Sequence, residues 1–275
     1  MFLVTGICNS ILQHWRRTLV QYTFIQLLSK GLKKNKISLI VSLCVLCASA
    51  CQFKFVIYSV TIYFLSGLGA NYSAFKYLSF PSGVQTVFID WLTPQKNESI
   101  KHYAKRIAEK INTAEPFILV GLSFGGMLAT EVIEFVRPQK TILISSAARR
   151  QELPAYYRLA GTFRINKLFP AAVIKKGNRL INWLMGVSAI KDKHLVAEIL
   201  AASNPEFSKW AINEIVNWKR TTAPENIVRI HGDGDRVLPI INFKPQHLVK
   251  NGGHFMVANR ATEISVIIEQ ELNAR

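Results

Sequence analysis

Acidic side chains are missing from the first third of the chain: no Asp or Glu precedes Asp90. The 34 Lys and Arg against 17 Asp and Glu, a formal net charge of +17, therefore owe much to a shortage of acids. A surplus of this size raises nucleic acid or a membrane as partners. No Lys/Arg stripe interleaved with aromatics, of the kind that grips a single strand, is present, so nucleic acid is not expected. Cysteine is lacking after Cys51. The long remainder thus has neither disulfides nor a thiolate metal site and can fold in either redox compartment. Of the four cysteines, Cys8 stands apart, while Cys44, Cys47 and Cys51 lie in an apolar run without a His or acid nearby. They read as buried thiols, not metal ligands. Internal repeats and low-complexity linkers are lacking too. What is present, 49% hydrophobic and 11% aromatic residues over 275 positions, suits a globular protein of one domain with an insertion or two small domains.

One stretch organises the chain. Phe117 to Val120 is an apolar run led in by Pro116, too short for a helix, and reads as a buried strand. After Gly126 the spacing turns helical, with Met127, Leu128, Val132, Ile133 and Val136 on one broad face. Between the two periods sits Gly121-Leu122-Ser123-Phe124-Gly125. A sharp strand-to-helix turn here lifts the serine hydroxyl clear of the sheet, and side chains two residues either side would collide in it. Gly121 and Gly125 are the residues such a turn needs. The helix that follows points unpaired N–H groups at any negative charge forming beside Ser123.

The rest alternates. Val60 to Leu65 predicts a strand running into the loop Ser66-Gly67-Leu68-Gly69, with a helix from about Ser73. A second strand is expected at Val84 to Ile89. Then comes a helix whose Ile100, Ala104, Ile107, Ala108 and Ile111 share a face, and after the central strand another at Thr141 to Ile144. This order implies a parallel sheet covered on both faces. Residues 150 to about 222 carry helical patterns, notably Leu195 to Ala202 and Phe207 to Trp218, and no clear strand. They predict a helical insertion over the strand ends or a small second domain. Ile227 to Ile230 resumes the sheet, His247 to Val249 closes it, and Ile264 to Leu272 is a final helix.

Residues 1–58 differ in character. Arg16, Arg17, Lys30, Lys33, Lys34 and Lys36 precede the uncharged stretch Ile37 to Ala50, as basic residues precede the apolar core of a signal or anchor. Ala48-Ser49-Ala50-Cys51 approaches a lipoprotein cleavage site, with alanine where leucine is usual, but the run starts late for a cleavable signal. Two readings stand. As an anchor or uncleaved signal, the segment touches a membrane through residues 37–53 and the protein is membrane-anchored or exported. As a non-native leader, it leaves the protein cytoplasmic.

A serine hydroxyl needs a base to take its proton as it attacks. His254 follows Gly252-Gly253 after the last strand, and Asp233 and Asp235 lie in His231-Gly232-Asp233-Gly234-Asp235 after the strand before it. All sit at carboxyl ends of expected parallel strands, where such sheets place their sites. The order is serine, acid, histidine. Asp233 reads more simply as a turn residue bonding its own backbone, and His231 as structural. His14, His102, His194 and His247 read as surface or packing residues.

In these three motifs the chain resembles the α/β-hydrolase superfamily, over about residues 59–275. The resemblance implies an α/β fold with a mostly parallel sheet, shortened to about six strands, helices on both faces and a helical cap at about 150–222. It implies Asp235 as the acid beside Ser123 and His254, with the backbone N–H groups of Leu68 and Phe124 as the oxyanion hole. Ser66 stands where relatives often carry histidine. The implied activity is a serine hydrolase that cleaves a small or medium carboxylic ester or thioester through an acyl-enzyme, without metal or organic cofactor. Acyl transfer, carbon–carbon bond cleavage and non-catalytic binding are the alternatives the same fold hosts.

Overall fold

The computed structural model describes residues 60–162 and 178–274. The expectations about residues 1–58, including the anchor reading and the cysteines, lie outside the described residues. Six strands form one sheet: β1 (Val60–Leu65), β2 (Val84–Phe88), β3 (Phe117–Leu122), β4 (Lys140–Ile144), β5 (Ile227–Gly232) and β6 (His247–Val249). Their order is β2-β1-β3-β4-β5-β6, and every pair is parallel. The register aligns Leu65 with Gly121, Leu122 with Ile144, Ile144 with Ile230 and Gly232 with Val249. The loops leaving β1, β3, β4, β5 and β6 therefore share one edge.

Two-residue alternation divides the core. Tyr63, Leu65, Leu119 and Leu143 face one layer, packed on α1 (Ile100–Ala108) and α2 (Phe124–Val132). Ile62, Phe64, Ile118, Val120, Ile142 and Ile230 face the other, beneath α7 (Met256–Asn259) and α8 (Ala261–Asn273). Both faces being covered, β3 is buried along its whole length, as a near-continuous apolar strand requires. Of the two edge strands, β2 is largely exposed.

The crossover from β1 to β2 departs from expectation. No α-helix starts at Ser73; there is one 3-10 turn, Tyr72–Phe75, capped by Asn71 Oδ1 accepting from Ser73 N at 2.9 Å. Pro81 disfavours helical geometry at Phe80, and β2 begins at Val84, so a helix here would have at most two turns. Between β4 and β5 the described residues form four helices: α3 (Ala155–Thr162), α4 (Arg179–Met185), α5 (Ile190–Ala202) and α6 (Pro205–Val216). The last two match the expected patterns; α3 and α4 are shorter, at 8 and 7 residues. From α5, Leu195, Val196, Ile199 and Leu200 pack into the second core layer, and from α6, Phe207 and Ala211 into the first. The insertion is thereby fastened to both faces at the edge where the loops emerge.

Candidate active site

The turn after β3 holds Ser123 at φ 52°, ψ −119°, a backbone conformation costly for a residue with a side chain. Its surroundings enforce it. Ser123 N donates to Ile144 O at 2.9 Å, and Ser123 O accepts from Gly126 N at 3.0 Å and from Ser146 Oγ at 2.6 Å. A Cβ on Gly121 would stand 2.5 Å from Gly125 O, and one on Gly125 would overlap the Leu65 and Ser66 carbonyls. Both glycines are there because the turn passes against backbone.

From that turn a chain of contacts runs inward. Ser123 Oγ lies 2.9 Å from His254 Nε2, and His254 Nδ1 lies 2.8 Å from Asp235 Oδ2. A carboxylate only accepts, so Nδ1 carries the proton and Nε2 presents a lone pair to the serine hydroxyl. Asp235 Oδ1 accepts from Val237 N at 2.9 Å and Leu238 N at 2.8 Å. Burial alone would raise the Asp235 carboxyl, but the charge and hydrogen bonds of His254 and His231 hold it well below the usual carboxylate range.

The structure thus brings Ser123, His254 and Asp235 into contact. Asp233 stays outside that contact, and its bonding differs from expectation. Instead of capping its own turn, its Oδ1 accepts from Asn251 N at 2.6 Å, tying the acid loop to the loop that carries the histidine. A Cβ on Gly232 would meet Gly252 O, so these loops touch backbone to backbone. Sequence reasoning missed how close His231 comes. Its Nε2 donates to Leu238 O at 2.7 Å and lies 3.4 Å from Asp235 Oδ2, buttressing the carboxylate from behind. The presence of His231 four residues before Asp235 in one short loop was the available signal.

On the other side of Ser123 runs the loop Ser66–Ala70. Ser66 Oγ donates to Ala70 O at 2.7 Å, joined there by Trp91 Nε1 at 2.9 Å. Serine at this position closes the loop on itself, so the histidine common in relatives is not needed for support. A Cβ on Gly67 would stand 3.4 Å from Ser123 Cβ. Leu68 N and Phe124 N, the expected oxyanion donors, have no acceptor among the described residues. Among those residues no group of three or more His, Cys, Asp or Glu is placed to hold a metal ion.

A profile of the alpha/beta hydrolase family matches residues 62–265, a span that runs from within β1 through β6 and includes the three contacting side chains. The chain belongs to the alpha/beta hydrolase family. Among solved structures, an esterase from Exiguobacterium antarcticum is similar at 14% identity, with a TM-score of 0.60 over 80% of this chain and 94% of that one. A thermophilic esterase from Thermogutta terrifontis is similar at 13% identity (TM-score 0.57, over 78% and 89%). A bromoperoxidase from Bacillus anthracis is similar at 14% (TM-score 0.54, over 78% and 92%). No curated protein matches the sequence. At these identities an α/β-hydrolase shares its scaffold with such neighbours, and the chemistry must be argued from the site.

Proposed function

We propose that this alpha/beta hydrolase is a serine esterase or thioesterase that acts through an acyl-enzyme. The observation that carries the proposal is the unbroken relay from the Ser123 hydroxyl through the His254 imidazole to the buried Asp235 carboxylate, at 2.9 and 2.8 Å. Ser123 Oγ attacks the carbonyl carbon while its proton passes to His254 Nε2. Asp235 stabilises the imidazolium and keeps its orientation. The carbonyl oxygen gains the negative charge, and the free N–H groups of Leu68 and Phe124 are the donors on the serine's two flanks. Collapse of the tetrahedral intermediate expels the alcohol or thiol, which takes the proton from His254. Water then repeats the sequence on the acyl-serine and releases the acid.

Beside Ser123 and His254 lies a cavity of about 120 Å³, walled by Leu68, Ala74, Met185, Val196, Ile199 and Leu200 among others. Its largely apolar wall suits an acyl chain. Turnover of p-nitrophenyl butyrate by Ser123→Ala should fall at least about 10⁴-fold with an unchanged melting temperature. Labelling of the native serine by a fluorophosphonate should disappear in the same variant. Ester cleavage that survives the substitution would end the proposal.

A further inference from the structure

The cavity beside Ser123 contains one side chain that the acyl-enzyme reading leaves without work. Ser208, in the first turn of α6, is only 4% exposed, and it lines the cavity. Its hydroxyl makes no hydrogen bond among the described residues. Its neighbour on the same wall, Ser203, donates its hydroxyl to Leu200 O at 2.7 Å and is satisfied. Ser208 also sits against the loop that carries Leu68: a Cβ on Gly69 would stand 3.6 Å from Ser208 Oγ. Among the described residues the remaining wall is aliphatic or glycine apart from Met185, Phe255 and the two reacting side chains, and none of them is Lys, Arg, Asp or Glu.

We infer that Ser208 is a specificity-determining residue that hydrogen-bonds a neutral oxygen on the substrate's acyl chain. The substrate class is a short hydroxyacyl or oxoacyl ester or thioester. The inference rests on the serine hydrolase reading and refines it. An apolar chain filling the cavity would bury a hydroxyl without a partner, which is unfavourable. A chain with its own hydroxyl or oxo group replaces that penalty with a bond. The described residues of the wall offer no ionic partner to a carboxylate or ammonium at the same place.

The test pairs chains of matched length: p-nitrophenyl 3-hydroxybutyrate against butyrate, and 4-oxopentanoate against pentanoate. They are compared for the native protein and Ser208→Ala, with Ser123→Ala as the blank. The native protein should prefer at least one oxygenated member in kcat/KM. Ser208→Ala should lose roughly 3- to 10-fold on that member, as expected for one neutral hydrogen bond, and gain on its plain counterpart. A purely structural serine would lower both alike, so equal losses on the two members, or no native preference in either pair, overturn the inference. Thermal shifts with the free acids separate the two failures. If Ser123 proves dispensable for turnover, a larger shift with 3-hydroxybutyrate than with butyrate that vanishes in Ser208→Ala still supports Ser208, and equal shifts sink it.

Discussion

At the scale of single residues, the site depends on how many groups point at one carboxylate. Asp235 accepts two backbone N–H bonds on one oxygen and faces two imidazoles on the other. Replacing it with asparagine keeps the volume but removes the charge that orients and stabilises the imidazolium. In Asp235→Asn, turnover of p-nitrophenyl butyrate should drop about 10⁴-fold, while the covalently unreacted fold still melts cooperatively. Ser123 and His254 stood out in the sequence because each follows an expected strand in a glycine-rich turn, whereas Asp235 was set above Asp233 only by the family resemblance; the structure brings the three into contact. His231 and Ser208 did not stand out. Their roles depend on the Leu238 carbonyl and on the Gly69 loop, partners that only tertiary contact supplies.

Elements show the same division. Strands β1, β3 and β4 were legible because burial on both faces writes an apolar run, and α1 because one face alone is buried. Helices α3 and α4 were not, since they are short and only part-buried. The edge opposite the site is fastened by a cluster spanning several elements. Lys140, opening β4, places Nζ 2.8 Å from Glu271 Oε2 of α8, and His247, opening β6, places Nε2 2.7 Å from Glu271 Oε1. Burial pushes the Glu271 carboxyl up, but Lys140 and His247 outweigh it and hold the group below its ordinary value. A depressed folded pKa means stability that is complete above the unfolded carboxylate value and fades as pH drops through the folded one. Glu271→Gln should therefore lower stability by about 1–2 kcal/mol at neutral pH, measured by urea unfolding. The gap from the native protein should close in acid, with ester turnover unaffected.

Across the whole molecule, the chain carries +17, while among the described residues the wall of the space beside Ser123 holds no Lys, Arg, Asp or Glu. Among the described residues no helix is long and apolar enough to cross a membrane. The insertion is joined to the base as well as to the core. Phe255 N donates to Met185 O at 3.0 Å, and a Cβ on Gly186 would stand 2.8 Å from Gly253 Cα, so the end of α4 abuts the residues flanking His254. Room for a bulkier guest, if gained by shoving that helix aside, is taken from the imidazole's alignment. Oversized esters should then still dock but react sluggishly, so that lengthening the chain from butyrate to decanoate erodes kcat more steeply than it raises KM. Selectivity by size would act on the proton relay itself, not at the entrance.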